Sequence, residues 1–204
     1  MKNRKKTIIY TILLSVLIIG VSYIYAHIDK NTYIYERNAD TGTYFGTGIL
    51  AHGEEVSQQF VARENSIDGI NIKVSLAGNV ADVVMHYAII DQETGETYAA
   101  SVDAVDLENN KFNQLPVERI EGTRGKTYTL VLYTENSDEL NGVSFYGVQS
   151  AGEDQQFIIK ENAVEGNLVT RIISHKFDVE TFIVFMAIVV FIITFMKVLY
   201  KSFK

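Results

Sequence analysis

The sequence predicts an all-β extracytoplasmic domain, a jelly roll or β-sandwich, flanked by two transmembrane α-helices. Three observations predict it. An uncharged apolar run lies near each end of the 204-residue chain. Apolar and polar residues alternate through the segment between them. Turn residues punctuate that segment at intervals of about ten positions.

The elements follow in order. Residues 1–6 contain Lys2, Arg4, Lys5 and Lys6 and read as a basic cytoplasmic tail. Residues 7–26 carry no charge and are dominated by Ile, Leu, Val and Tyr. As a helix rising about 1.5 Å per residue they reach roughly 30 Å, the thickness of a bilayer core. A cleaved signal peptide would share the basic start, but its apolar core is usually about 7–15 residues. A cut after Ala26 would also put Ile24 where a small side chain is preferred. The expectation is therefore a retained anchor.

The second apolar run covers residues 181–200, with Lys197 able to snorkel toward the interface. Residues 201–204 form a second basic tail. Unpaired backbone groups are costly in hydrocarbon, so both runs are expected to be helical. Tyr23, Tyr25 and Tyr200 fall near the predicted interfaces. Thr11, Ser15 and Ser22 share one helical stripe, and Ala187 and Thr194 another, which suits close packing of the two helices or of a partner's helices. Neither run contains an acid, His or Arg, so the chain is not expected to carry ions or protons by itself.

Charge placement sets the topology. The formal net charge is −7, from 18 Lys and Arg against 25 Asp and Glu. Four basic residues precede Ala26 and three follow Glu180, so eleven remain in residues 27–180 beside all 25 acids. Basic ends stay in the cytoplasm, which leaves residues 27–180 outside with a strong acidic excess. That excess argues against nucleic acid as a partner. Without Cys there is no disulfide framework, thiol nucleophile or Cys-based zinc site.

Within residues 27–180 the β core is expected over about 42–174. The clearest strand is 69–76, where Ile70, Ile72, Val74 and Leu76 share one face. Residues 126–134 repeat the pattern with Tyr128, Leu130 and Leu132. Strands are also expected at 83–91 and 142–148, rich in β-branched and aromatic residues, and at 55–61, 96–102, 111–115 and 168–174. Turn chemistry separates them: Asp91 to Gly95 as a hairpin loop, then Gly122 to Gly125, then Glu135 to Asp138. Residues 27–42 and 151–167 are more polar and read as connections or short edge elements.

Glu55-Val56-Ser57-Gln58-Gln59-Phe60 and Ile67-Asp68-Gly69-Ile70-Asn71-Ile72 open a resemblance. Tyr87-Ala88-Ile89-Ile90-Asp91, Thr94-Gly95, Leu107-Glu108-Asn109-Asn110 before Phe112, and Gly125-Lys126-Thr127-Tyr128-Thr129-Leu130 continue it. Over residues 54–148 the chain resembles the carbohydrate-binding-module-like jelly-roll domain of bacterial membrane proteins in surface-polysaccharide synthesis. There the domain is often joined to multi-spanning glycosyltransferases. The resemblance implies a bacterial plasma membrane, a polytopic glycosyltransferase or transporter as partner, and a glycan as ligand. Two departures matter. Phe145 and Tyr146 stand where the family often has Trp, and the multi-spanning catalytic portion is missing.

The chemistry-bearing residues form no catalytic pattern. His27, His52, His86 and His175 show no His-Glu-x-x-His spacing, and no Gly-x-Ser-x-Gly elbow is present. Gly42 to Gly48 resembles a dinucleotide loop only superficially and reads as a strand or loop of the sandwich. Glu54-Glu55, Asp138-Glu139 and Glu153-Asp154 could pair as glycosidase carboxylates, but each reads as solvated loop charge. A structural calcium would draw on Asp91, Glu93 and Glu96, although the full calcium-loop pattern is lacking. No other cofactor, catalytic residue or metal ligand is expected. A sugar platform would use Tyr44, Phe45, Tyr98, Tyr133 or Tyr146, and the sequence does not choose among them.

The expected function is thus a non-catalytic, membrane-anchored accessory protein that binds or positions a glycan or a membrane partner. A homo-oligomeric scaffold or chain-length regulator of polymer export shares the topology, but such proteins carry long external helices. An extracytoplasmic carbohydrate-active enzyme is the remaining alternative.

Overall fold

The computed structural model describes residues 2–149 and 156–203. The chain divides into two compact units, one made of Met1–Asp29 with His175–Lys204 and the other of Lys30–Ser174.

The first unit is mainly two helices, α1 (Lys2–Tyr25) and α2 (Val179–Ser202). α2 is mostly apolar, with Glu180, Lys197 and Lys201 toward its ends; its most apolar stretch has a mean hydropathy of 2.8 and none of it is buried. By length and composition it can cross a membrane. The apolar stretch of α1 among the described residues is shorter, Ile12–Tyr25. Asp178 starts α2, its carboxylate accepting the Thr181 N–H at 2.8 Å. The two helices touch through Tyr25, whose ring stacks on Phe185 at 4.4 Å. Tyr23, His27, Phe177 and Phe182 form a chain of ring contacts at the same end.

The second unit is built from antiparallel strands. In chain order they are β1 (His27–Tyr33), β2 (Tyr44–Ile49), β3 (Glu55–Val61), β4 (Ser66–Ala77), β5 (Val84–Asp91), β6 (Thr97–Asp103) and β7 (Phe112–Glu121). They continue with β8 (Thr127–Glu135), β9 (Gly142–Val148), β10 (Phe157–Ile159), β11 (Asn162–Ala163), β12 (Asn167–Leu168) and β13 (Thr170–Phe177). One sheet has seven strands in the order β1-β13-β4-β9-β12, with β7 also pairing β4 and β2 also pairing β9. The other has six, in the order β11-β10-β3-β8-β5-β6.

Period-two patterning explains how the sheets join. Ile70, Ile72 and Val74 of β4 and Phe145 of β9 point to the same side as their alternation requires. They meet Val56 and Phe60 of β3, Ile89 of β5, and Leu130 and Leu132 of β8 in one buried cluster. Each such side chain contributes about 1.5–3 kcal/mol on burial, so this shared core is what holds the two sheets together. Buried polar groups add direction. The fully buried Gln58 of β3 accepts the Leu168 N–H of β12 at 2.9 Å and donates to Asn167 Oδ1 at 3.4 Å. Tyr87 of β5 donates to the Pro116 carbonyl of β7 at 2.8 Å. Both bonds run from one sheet to the other.

Seven of the expected strand segments coincide with β3, β4, β5, β6, β8, β9 and the first half of β7. The eighth, 168–174, is divided at Val169 between β12 and β13, because the chain changes partner there from β9 to β4. β7 runs on to Glu121 through a register shift opposite Ile67 and Gly69. At that irregularity a Cβ on Gly69 would lie 2.6 Å from the Leu115 carbonyl oxygen, so only glycine fits. β1, β10 and β11 arise in the polar stretches read as connections and are short or edge strands, while β2 takes up the Gly42 to Gly48 segment read as a strand or loop of the sandwich.

Candidate functional site

The face of the seven-stranded sheet opposite the core gathers aromatic and cationic side chains. Alternation places them. With Ile70, Ile72 and Val74 turned inward, Asn71 and Lys73 of β4 must turn outward. The same rule sends Arg171 outward beside the inward Ile172, and Tyr146 outward beside Phe145. Register then brings them together. Arg171 pairs with Asn71, Lys73 with Phe112, and Tyr44 with Val148. Tyr33, at the end of β1, and Tyr35 just beyond it complete the group.

The rings form a connected series. Tyr33 meets Tyr35 edge-on at 5.4 Å, Tyr35 meets Tyr44 at 6.3 Å and 90°, and Tyr44 lies 6.5 Å from Tyr146. Three cations sit on these rings. The Arg171 guanidinium carbon is 3.8 Å from the Phe112 centroid and 4.6 Å from that of Tyr33. Lys73 Nζ lies 5.0 Å from the Tyr146 centroid and 5.4 Å from that of Tyr44, and Arg37 lies over Tyr33 at 5.6 Å. Such cation–π contacts are worth about 0.5–2 kcal/mol each. Tyr146 donates its hydroxyl to Asn110 Oδ1, and Asn71 Nδ2 donates to Asn31 Oδ1 at 3.2 Å.

Electrostatically the face is neutral in its tyrosines and positive in its cations. Burial, with a hydrogen-bonding interaction with Tyr35, pushes the Tyr44 phenol up to about 12. It therefore remains an O–H group, and adds no negative charge, at any ordinary pH. Stacking surfaces, amide groups and N–H donors on one face can hold a ligand by ring contact and hydrogen bonds.

No family model matches the chain, and neither does any curated protein. The chemistry of this face is therefore read from its own geometry.

Of the five aromatic residues expected as a sugar platform, Tyr44 and Tyr146 come together here. Phe45 turns into the core toward Phe157. Tyr98 and Tyr133 belong to the other sheet, where Tyr133 stacks on His86 at 4.7 Å and 7°. His86 lies 3.4 Å from Glu135. His175 pairs with Asp29, His27 contacts the Tyr23 carbonyl, and His52 is exposed in the loop before β3.

Two of the candidate carboxylates, Glu54 and Asp138, have structural roles. Lys160 holds Glu54 at 2.6 Å and, with the Ala51 N–H, lowers its pKa. Asp138 accepts the Leu140 and Asn141 N–H groups and the Asn141 amide. Glu153 and Asp154 lie outside the described residues. For calcium, Asp91 instead accepts the Glu93 and Thr94 N–H groups, which close the hairpin loop and hold its carboxyl below the usual range. Glu93 and Glu96 are exposed, and among the described residues no three potential ligands converge.

Sequence reasoning missed Tyr33, Tyr35, Lys73, Phe112 and Arg171. The available signal was the outward half of each alternation. Asn31-x-Tyr33-x-Tyr35 has period two within a stretch read as polar, and Lys73 is the one charge on the outward half of the 69–76 alternation.

Proposed function

We propose that the protein is a non-catalytic, membrane-anchored accessory of cell-surface polysaccharide assembly whose β domain binds a glycan. On this reading α1 and α2 both span a bacterial plasma membrane, the basic tails are cytoplasmic, and the β domain is an external jelly roll. A polytopic glycosyltransferase or transporter is the partner that the bound glycan is presented to. The observation that carries the reading is the face of the half-buried Tyr33, Tyr44 and Tyr146, packed over the buried Tyr35 and bordered by Asn31 and Asn110. Sugar rings bind through apolar C–H faces on aromatic rings and through hydroxyls on amides, and this face offers both. The apolar α2 supports membrane attachment, and the positive ends support the orientation.

The test is titration of the detergent-solubilised full chain with oligosaccharides from bacterial surface polymers, followed by tyrosine fluorescence. The chain has no Trp, so the signal comes from its 12 tyrosines alone. Saturable binding is expected, and Tyr44→Ala and Tyr146→Ala should each weaken it about tenfold. A full glycan panel without saturable binding would end the reading. Unchanged affinity in both variants would move the ligand off this face.

A further inference from the structure

We infer that this face selects an anionic sugar: a glycan bearing a carboxylate that Arg171 and Lys73 receive. The inference rests on the glycan reading above and specifies the charge of the ligand.

The first argument is charge complementarity. The external segment holds all 25 acids of the chain against eleven basic residues, so a cation there has carboxylates in reach nearly everywhere. Elsewhere on the domain several basic side chains take them, while Arg124 donates to the Arg63 carbonyl. Arg119 meets Asp68 at 2.9 Å, Lys160 meets Glu54 at 2.6 Å, Lys30 meets Glu64 and Lys111 meets Glu108. Lys73, Arg171 and Arg37 are different. Among the described residues they face rings, and no carboxylate lies within 4.0 Å of them. Among the described residues, three cations thus converge on one face with no carboxylate within 4.0 Å.

The second argument is an unmet hydrogen-bonding requirement. Arg171 Nε and Asn71 Oδ1, on directly paired residues, are buried without a hydrogen-bond partner. A buried donor or acceptor left unpaired costs roughly 1–3 kcal/mol, so a shift of the guanidinium that brings Nε to an incoming acceptor is rewarded.

Geometry then selects the anion. Phe112 and Tyr33 both contact the guanidinium of Arg171, and the N–H fork accepts a planar carboxylate through two parallel bonds. Lys73 is the diagonal neighbour of Arg171 across β4 and β13, with backbones about 7–8 Å apart. One sugar unit can therefore touch both cations while its ring lies on tyrosine. A polymer charged at every repeat would meet the acidic remainder of the domain and be repelled. The face fits an isolated carboxylate within a mainly neutral glycan.

The experiment compares three oligosaccharide classes on the full chain in detergent: neutral, uronic-acid-containing and phosphate-bearing. The uronic-acid class should bind at least tenfold tighter than the neutral one, and binding should weaken as salt rises. Arg171→Gln and Lys73→Gln should each remove roughly ten- to a hundredfold of affinity for the uronic-acid class and little for the neutral class. Arg124→Gln, an equal charge change on a distant loop, should leave it unchanged. If Arg171→Gln unfolds the domain, as judged by circular dichroism, Lys73→Gln decides alone. Equal affinity for neutral and uronic-acid sugars overturns the inference and leaves the glycan reading standing. Tighter binding of the phosphate class overturns it too. Failure of all three classes removes both.

Discussion

Tyr44 shows how one side chain ties packing to electrostatics. Its phenol is raised to about 12 from the ordinary 10.0 because burial opposes the charged form and Tyr35 favours the neutral one. A group whose folded pKa is raised contributes stability that is complete below the unfolded value and lost as pH climbs through the folded one. The aromatic face should therefore hold unchanged up to pH about 10 and loosen between about 10 and 12. Phenolate absorbance during alkaline titration checks this, since Tyr44→Phe should delete a late-titrating component. Identical curves for the two proteins would show that Tyr44 ionises with the exposed tyrosines. Half of the aromatic face was legible at this scale. Tyr44 and Tyr146 were visible as candidates, but nothing local separates them from Phe45 or Tyr133. The difference lies in which face of the sheet each occupies, and for Phe45 that is set by pairing with Gly147 across about a hundred residues.

Among the elements, β4 is the one whose sequence and surroundings agree most closely. Its alternation was plain because one side is core throughout, and its start was missed because Ser66 and Asp68 are polar yet buried by specific bonds. β1 escaped for the opposite reason. It lies at a sheet margin, where half the backbone bonds and little apolar burial suffice, so its composition resembles loop. Gly69 gives a test at this scale. A methyl group there would press on the Leu115 carbonyl and on Pro116 Cα at 3.2 Å, both backbone. Gly69→Ala should cost about 1–3 kcal/mol by forcing β4 and β7 apart. A urea melt reads the change, and a midpoint equal to wild type would mean that the irregularity relaxes freely. Gly122→Ala, where no atom lies within 4 Å but φ is +67°, isolates backbone strain from crowding.

For the molecule as a whole, charge placement was the most readable feature. Basic residues at both ends and an acid-rich middle are the pattern on which the proposed orientation rests, and no single element contains it. The absence of Cys makes that orientation simple to test. With His52→Cys or Ser202→Cys as the only thiol, a membrane-impermeant maleimide applied to intact cells should label position 52 and not position 202. Permeabilised cells should label both. Labelling of position 202 in intact cells would reverse the orientation or remove α2 from the membrane. What composition could not convey was the cationic face, because Lys73 and Arg171 add two charges to a segment dominated by the opposite sign. Only pairing across β4 and β13 makes them neighbours.

The bond from Leu168 to Gln58 joins residues 110 positions apart, and β4 takes β13 as a partner from a similar distance. During synthesis the early strands therefore emerge long before the segments that complete their sheets. Until the last strands arrive, β3 and β4 each have an open hydrogen-bonding edge. Closure across so long a loop gives slow folding, on the order of milliseconds to seconds. The final strands act as a latch: the domain gains its cooperative stability late, just as the chain turns into α2.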